Sequence, residues 1–341
     1  MIPANRPAAQ PVRWQQLWRE AVTDPHELLD LLGLSAHAAA LLPDADTGFS
    51  VRVPRGFVAR MRAGDPADPL LLQVLPQAAE LGEVPGFGRD AVGDLAARAA
   101  HGVLHKYDGR ALLIATGSCA VNCRYCFRRH FPYAEETAAA NRWQGALDHL
   151  RDDHSISELI LSGGDPLSLS TPKLAELTAA LADLPHIRRL RIHTRLPVVL
   201  PERIDGEFLD WFAALPLQRV VVVHANHPRE IDAQVGAACM ALRDAGATVL
   251  NQSVLLRRVN DDADVLAALS ERLFEAGVLP YYLHQLDRVA GAAHFEVTAA
   301  VALGLMQTLR QRLPGYLVPR LVRETAGAPY KEPILAPPPV G

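Results

Sequence analysis

Short runs of apolar and β-branched residues recur along the chain from residue 110 onward, with helical patterns between them. The runs cover residues 111–115, 158–162, 189–193, 219–224, 248–252 and 279–284. After a longer first gap they follow one another at intervals of about 30 residues, the length of one strand–helix unit. This alternation predicts parallel strands joined by crossover helices. Six such units can form an open doubly wound sheet or a partial (β/α) barrel, and the periodicity does not choose between them.

Polar residues follow each predicted strand. In parallel α/β folds, functional side chains cluster where strands end and loops begin. The residues at these ends include Cys119, Gly163, Gly164, Asp165, His193, His224, Gln252 and His284. We therefore expect these groups to face one side of the sheet.

Length and composition exclude several classes of protein. The 341 residues predict one large α/β unit with an appendage, or two domains. A formal net charge of −4 gives no electrostatic basis for binding nucleic acid or an acidic membrane surface. No apolar stretch approaches the roughly 18–20 residues that span a bilayer, and the N-terminal segment lacks the apolar core of a secretory signal. We expect a cytoplasmic protein.

Three of the four cysteines, Cys119, Cys123 and Cys126, lie within eight residues in a C-x3-C-x2-C spacing. Three thiolates on one loop can bind three irons of a [4Fe-4S] cluster and leave the fourth iron open to a small molecule. The alternative is a closed zinc site that uses His130 as fourth ligand. Placement at the active face of a large α/β unit favours the cluster. The fourth cysteine, Cys239, lies in a helical apolar pattern and is predicted to be a buried, inert thiol.

The cysteine spacing, with Tyr125 before the last cysteine, resembles the signature of the radical S-adenosylmethionine superfamily. The resemblance implies that S-adenosylmethionine binds the open iron, and that the six units form the partial (β/α)6 barrel of that superfamily. The sequence SGGD at 162–165 resembles the glycine motif that holds the amino group of this cofactor. The alternative is a strand–helix turn in which Asp165 is an N-cap and Pro166 the first helical residue.

Longer segments resemble the lysine 2,3-aminomutase family, and most closely its short branch, which makes β-lysine for modifying translation elongation factor P. The segments are CAVNCRYCFRRHFPY (119–133), SGGDPL (162–167), IHTRL (192–196), NQSVLL (251–256), PYYLHQLDRVAGAAHF (280–295) and GYLVP (315–319). The resemblance implies conversion of L-α-lysine to β-lysine by a radical amino shift. It also implies pyridoxal 5′-phosphate, an external electron donor and a lysyl-ligase that acts on elongation factor P.

The chain contains lysine only at 106, 173 and 331, so few residues can bind pyridoxal phosphate covalently. The resemblance assigns this role to Lys331, although only Gly327 remains of the glycine-rich run that precedes it in longer relatives. The alternative is a lysine in a flexible tail, and Lys173 is expected at the surface. The resemblance assigns further cofactor contacts to Lys106, Tyr107, Arg110, Ser162, Gly163, Gly164, Asp165, His193 and Gln252.

Substrate recognition is assigned in the same way. Arg128 matches the arginine that pairs with the substrate carboxylate, and Asp287 and Glu324 match the acidic positions that receive the ε-ammonium. Longer relatives have aspartate in place of Glu324, which implies a change in pocket length. By composition alone, a solvated surface charge is a serious alternative for Arg128 and for Asp287, and their placement at barrel ends within the motifs favours the functional role.

The predicted organisation has three regions: a mainly helical N-terminal extension (1–104), the radical-SAM barrel (105–313), and a short C-terminal segment with Lys331 (314–341). No cysteine follows Cys239, so we expect no zinc-binding extension of the kind that longer aminomutases carry. The rival function is a non-catalytic zinc- or cluster-stabilised module that recognises elongation factor P, and the absence of a large basic patch argues against it. The oligomeric state is left open.

Overall fold

One continuous β-sheet runs through the protein, and its strand order is the order of the sequence. The structure is a computed structural model that describes residues 13–136, 143–181 and 183–335. In these residues the strands are β1 Arg98–Ala100, β2 Val103–Tyr107, β3 Arg110–Thr116, β4 Glu158–Gly163, β5 Arg189–Thr194, β6 Gln218–Val223, β7 Ala247–Val254, β8 Leu279–His284, β9 Arg320–Arg323 and β10 Glu332–Pro333.

Strands β3 to β9 are parallel, and antiparallel pairs β1–β2, β2–β3 and β9–β10 flank them. The six predicted strands are confirmed to within two residues at each end. The strand β9 is a seventh parallel strand that the sequence pattern did not predict. It has only four residues, of which Leu321 and Val322 are buried, too few to give a periodic signal.

The sheet curls until its two ends meet. Neighbouring strands are about 4.8 Å apart, so a flat sheet would separate β2 from β9 by about 34 Å. Instead, Nζ of Lys106 on β2 lies 2.9 Å from Oε1 of Glu324, which directly follows β9. No backbone pairing closes the circle among the described strands. The fold is therefore a partial (β/α) barrel and not an open doubly wound sheet.

Helices connect the parallel strands. The α-helices of the described chain are α1 Trp14–Arg19, α2 Pro25–Leu31, α3 Ala38–Leu41, α4 Arg55–Val58, α5 Pro69–Leu72, α6 Tyr133–Glu136, α7 Gln144–Asp152, α8 Thr171–Ala179, α9 Leu196–Val199, α10 Gly206–Ala213, α11 Ala233–Asp244, α12 Ala263–Glu275 and α13 Ala299–Arg312. Asp205, Asp232, Asp262 and Thr298 cap the starts of α10 to α13 by accepting backbone N–H hydrogen bonds. No helix in the described ranges is long and apolar enough to cross a membrane.

Strands of the one sheet come from all three predicted regions: β1 from the first, β9 and β10 from the last. The predicted helical extension contains α1 to α5, with β1 and the start of β2 at its end. Residues 1–12 and 336–341 of the two terminal regions lie outside the described residues.

The N-terminal extension fixes the loop between β3 and α6 through a buried carboxylate. Glu80 Oε1 accepts a hydrogen bond from Arg124 Nε at 2.8 Å, and Oε2 accepts one from Arg129 Nη2 at 2.8 Å. Both arginines belong to the cysteine segment, and the side chains of Glu80 and Arg124 have no exposed area. The backbone N–H of Arg124 also donates to the carbonyl of Gln73 at 2.8 Å. The extension therefore holds the cysteine segment in place.

We predict that Glu80→Gln destabilises the protein by about 3–5 kcal/mol, because it leaves two buried guanidinium groups without a carboxylate. Anaerobic urea unfolding followed by circular dichroism measures the change. The matched control is Glu275→Gln, which removes an exposed ion pair with Arg272 and should cost no more than about 1 kcal/mol. Equal unfolding midpoints for the two variants would contradict the role of Glu80.

Candidate active site

A cavity of about 550 Å³ lies inside the curled sheet. Every site residue that the sequence predicts lines it, from strand β2 to the segment after β9. These residues are Cys119, Cys123, Cys126, Lys106, Tyr107, Arg110, Arg128, Ser162, Gly163, Gly164, Asp165, His193, Gln252, Asp287, Glu324 and Lys331. Residues more than 200 positions apart in the sequence thus share one internal space because the barrel brings both ends of the sheet together.

The three cysteine thiols at one end of the cavity are suited to binding a cation. Burial and the neighbouring Cys126 raise the pKa of Cys119 well above its usual range. Burial and Cys123 raise the pKa of Cys126 to about 11. Without a cation the two groups stay protonated at neutral pH, whereas bound iron would deprotonate them.

The spacing of the thiols does not fit a single zinc ion. Two thiolates on one tetrahedral zinc lie about 3.8 Å apart, since each Zn–S bond is about 2.3 Å. In the described structure the cysteine sulfurs and His130 do not form a set of three ligand atoms within 4.8 Å of one another. The His130 ring nitrogen Nε2 instead lies 3.1 Å from the carbonyl oxygen of Ala290. The described residues thus do not bring together the four ligands of a closed zinc site, whereas three thiolates can each bind a different iron of a cube.

The two glycines after β4 allow the cysteine loop to pack against that strand. A Cβ atom on Gly163 would lie 2.4 Å from the carbonyl oxygen of Thr116, and one on Gly164 would lie 2.5 Å from that of Ser118. Gly163 also has a φ of +119°, which side chains rarely allow. Glycine is therefore required here by the backbone that leads into the cysteine segment.

Asp165 has the capping role that was the alternative interpretation of its motif. It is the N-cap of the 3-10 helix Pro166–Ser168. Its two carboxylate oxygens accept hydrogen bonds of 2.6–3.2 Å from Leu167 N, Thr194 Oγ1, Arg195 N and Leu196 N. Burial raises the pKa of Asp165 to about 6. Its carboxylate thus ties the ends of β4 and β5 together at the cavity wall.

Arg195 contacts the cysteine loop directly, and sequence reasoning did not assign it a role. Its Nη1 lies 2.7 Å from Sγ of Cys123, and its Nη2 donates to Glu230 at 3.0 Å and to Gln73 at 2.8 Å. A hydrogen bond to a ligand sulfur stabilises its negative charge and tunes the reduction potential of an attached cluster. The only available signal was its position inside the segment IHTRL.

A chain of alternating charges crosses the cavity. Asp94 accepts a hydrogen bond from Nε of Arg128 at 2.6 Å and forms a salt bridge with Nζ of Lys106, also at 2.6 Å. Glu324 then pairs with Lys106 at 2.9 Å and with Lys331 at 2.7 Å. Burial opposes ionisation, but the adjacent cations lower the pKa of both carboxyl groups. Asp94 lies in an irregular loop and belongs to no motif, so no sequence signal pointed to it.

Asp287 faces the same charges but forms no salt bridge with a described residue. Burial and the nearby Glu324 raise its pKa to about 7, while Lys331 and Lys106 act in the opposite direction. A carboxyl group without a cationic partner in a shielded cavity gains most from a ligand that carries an ammonium. Asp287 is therefore the acidic side chain most available to a cationic substrate.

Three histidines at strand ends, His284 buried and His193 and His224 half-buried, stay neutral. Burial lowers the pKa of His193 and His284 well below the usual range, and that of His224 to about 3. Nε2 of His193 and of His284 has no hydrogen-bond partner among the described residues, and Nε2 of His224 lies 2.9 Å from Gln252 Nε2. Such neutral groups can donate to or accept from an uncharged part of a ligand. His224 and His284 were recognised only as strand ends.

Tyr107 and Arg110 lie at the turn between β2 and β3, where the Arg110 guanidinium sits 4.6 Å from the centre of the Tyr107 ring. Arg110 forms no ion pair within the described part of the chain, so its donors can reach an anionic ligand. A guanidinium that is stacked and held in this way is suited to a phosphate.

Comparisons with known proteins agree with this site. The family model described as "4Fe-4S single cluster domain" matches residues 108–185, which include all three clustered cysteines. The chain is 46% identical to the L-lysine 2,3-aminomutase of Haemophilus influenzae over 97% of this chain and 98% of that one. It is 48% identical to the L-lysine 2,3-aminomutase of Escherichia coli, over 98% of this chain and 97% of that one. It is 32% identical to the enzyme of the same name from Clostridium subterminale, over 95% of this chain and 77% of that one. A radical SAM methyltransferase structure from Sphaerobacter thermophilus aligns over 65% of this chain and 68% of that one, with 19% identity and a TM-score of 0.47.

We predict that Cys126→Ala prevents stable assembly of the iron–sulfur cluster, because only two protein ligands remain. Iron and sulfide content after anaerobic reconstitution, together with the electron paramagnetic resonance spectrum of the reduced protein, measures this. The matched control is Cys239→Ala. Burial in α11 raises the pKa of Cys239 to about 12, so this thiol is far from reactive. Equal iron content in both variants would contradict the assignment of the cluster to this loop.

Proposed function

Because the chain belongs to the L-lysine 2,3-aminomutase family, we propose that it is a radical S-adenosylmethionine isomerase that converts L-α-lysine to β-lysine. The observation that carries this proposal is the single cavity in which three clustered cysteines, the Lys331 amine and a chain of paired charges meet. A lysine substrate has a carboxylate at one end and an ammonium at the other. The cavity offers a charged partner for each.

We propose three cofactors for this cavity: a [4Fe-4S] cluster, S-adenosylmethionine and pyridoxal 5′-phosphate. When bound, the first two supply the one-electron chemistry that removes a substrate hydrogen, and the third supplies a conjugated ring that delocalises unpaired electron density. Cys119, Cys123 and Cys126 would hold the cluster. Lys331 has a primary amine that reaches into the cavity, which fits covalent attachment of an aldehyde cofactor.

The remaining predicted contacts divide between the other two cofactors. Ser162 and the backbone of Gly163 and Gly164 lie next to the cysteine loop, which suits the amino group of S-adenosylmethionine. Arg110, Tyr107 and Lys106 lie across the cavity, where an anionic phosphate would complement them. His193 and Gln252 line the wall between the two ends and are proposed to contact the cofactors there.

Arg128 is proposed to bind the substrate carboxylate. Its guanidinium donates to Asp94 and, at 3.0 Å, to Oγ of Ser162, which fixes the plane of the group. An arginine held in this way presents paired N–H donors that match a carboxylate. Because burial opposes charge while Asp94 raises the pKa of Arg128, the group remains a cation within the cavity.

Asp287 and Glu324 are proposed to receive the ε-ammonium of the substrate. In the structure Glu324 pairs with two lysine side chains, Lys106 and Lys331. If Lys331 held an aldehyde cofactor, its nitrogen would no longer be a free ammonium beside Glu324. A substrate ammonium could then pair with Glu324 as well as with Asp287, so that the buried carboxylates would keep cationic partners.

A role for the product in modifying elongation factor P is also proposed. The support is the similarity to the short branch, since identity to the Haemophilus influenzae and Escherichia coli proteins is 46% and 48% but 32% to the Clostridium subterminale protein. In this proposal a lysyl-ligase consumes β-lysine, and an external donor supplies the electron that starts turnover. Mass spectrometry of elongation factor P incubated with this enzyme, its ligase and lysine would test the pathway.

The activity itself is tested with the anaerobically reconstituted enzyme, S-adenosylmethionine, pyridoxal phosphate and dithionite. The substrates are L-lysine, L-ornithine and L-alanine, and chiral chromatography identifies the product. We expect β-lysine from lysine and little product from the two shorter amino acids, which cannot place an ammonium near Asp287. Turnover of another amino acid with lysine left unchanged would overturn the proposed substrate.

We predict that kcat/KM for lysine rises as the pH increases through about 7. Asp287 must be ionised to pair with the substrate ammonium, and its pKa in the free enzyme is raised to about 7, whereas the ammonium stays charged to about pH 10. Asp287→Asn should lower kcat/KM by at least about 100-fold, since a buried charge then lacks its partner, and should remove this limb of the pH profile. Iron and pyridoxal content should not change. An unaltered profile in the variant would place Asp287 outside the substrate site.

We predict that Lys331→Ala loses pyridoxal phosphate and β-lysine formation but retains the cluster, because the cysteines and Lys331 lie on different segments of the cavity wall. Borohydride reduction followed by peptide mapping measures the attachment site. Lys173→Ala, which changes an exposed residue of α8, is the matched control and should retain both cofactors. A pyridoxyl label on Lys106 or Lys173 of the unmodified protein would refute the assignment.

A further inference from the structure

A second cluster of metal-binding side chains lies outside the cavity. His105 on β2, His149 on α7 and Asp153 just after α7 bring one ligand atom each within 4.8 Å of one another. Neighbouring residues of a strand point to opposite faces. Since Lys106 points into the cavity, His105 points outward, toward α7. The proposed activity does not involve any of these three residues.

The separations between the ligand atoms of these three residues fit a metal site better than a set of hydrogen bonds. Nδ1 of His105 lies 3.8 Å from Oδ2 of Asp153, too far for a hydrogen bond. Two ligands bound to one tetrahedral ion at about 2.0–2.1 Å lie about 3.4 Å apart. The rings of His105 and His149 meet edge to face, with their centres 5.6 Å apart. A small movement would bring the donors to bonding distance of one ion.

The carboxylate is already oriented for such an ion. Oδ1 of Asp153 accepts hydrogen bonds from the backbone N–H of Ser155 at 3.0 Å and from its hydroxyl at 2.6 Å. This leaves Oδ2 as the oxygen that faces His105. Hydrogen bonds of this kind to a ligand are what orient it in known metal sites.

His149 supplies an independent observation. Its Nε2 atom is buried and has no hydrogen-bond partner among the described residues. An unpaired polar atom in this state is rare in folded proteins because it has lost its water without replacement. A bound cation at the junction with His105 and Asp153 would satisfy it.

We propose that His105, His149 and Asp153 bind a divalent first-row transition metal, with Zn²⁺ the ion best suited to two imidazoles and one carboxylate. Water would occupy the fourth position. The ligands come from β2 and from the end of α7, two elements that no strand pairing joins. The ion would therefore fasten α7 to the outer face of the sheet, next to the strand that carries Lys106.

The test uses Co²⁺ as a spectroscopic substitute for zinc, added to the cluster-loaded enzyme. We expect one additional equivalent of bound cobalt, with the d–d absorption of a four-coordinate ion and no thiolate-to-cobalt charge transfer. His149→Ala and Asp153→Asn should each lose this equivalent, and Ser155→Ala should weaken its binding by about 10–100-fold. His154→Ala is the matched control, because His154 is not one of the three proposed ligands. Its ring stacks on that of His186, with the ring centres 4.7 Å apart.

Three results would overturn the proposal, and the first two are that the cluster-loaded enzyme binds no cobalt or that Asp153→Asn retains its cobalt unchanged. That substitution conserves shape, so it keeps the test valid if His149→Ala fails to fold. Thiolate charge transfer would place the ion on the cysteines and would also overturn it. Zinc should raise the melting temperature of the parent protein and of His154→Ala, but not that of Asp153→Asn. No measurement here depends on turnover.

Discussion

Buried carboxylates in two different regions hold the cysteine loop, and the candidate site depends on that restraint. Glu80 binds the arginines within and after the loop, while Glu230 binds Arg195, which in turn contacts Cys123. A guanidinium buried without a carboxylate is costly, so alternative loop conformations that break these pairs are strongly disfavoured. The loop is thus positioned before any iron arrives. The N-terminal extension, which carries none of the predicted site residues, belongs to the site for this reason.

Groups of the protein itself pair several of the charges in the cavity. Asp94 occupies Arg128 much as a substrate carboxylate would, and Lys331 occupies Glu324 much as a substrate ammonium would. On the proposed assignment, binding exchanges internal ion pairs for similar external ones, so few charges are left uncompensated at any stage. Asp287 differs because it forms no salt bridge with any residue that the structure describes. The cavity therefore favours a ligand that carries an additional positive charge near Asp287.

The sequence predicted the repeating core of the fold better than its edges. The six long strands carry a regular apolar signal, and the residues at their ends all line the cavity. The strand β9 is too short to show a period. Glu80 lies in a short 3-10 helix and Asp94 in an irregular segment, and in neither place does the sequence distinguish a buried acid from a solvated one. Their importance arises from partners that are distant in sequence. His105 and His149 were missed for the same reason, since their spacing matches no local metal motif.

The closure of the barrel has a consequence of its own. Backbone hydrogen bonds hold all the other strand junctions, but β2 and β9 meet through side chains, with Lys106 and Glu324 as the contact. Among the described strands, the junction between β2 and β9 is therefore held by an ion pair and not by backbone pairing. Any ligand that competes for Lys106 or Glu324 weakens this junction as well as occupying the cavity. Occupancy of the interior and the width of the barrel are in this way thermodynamically linked.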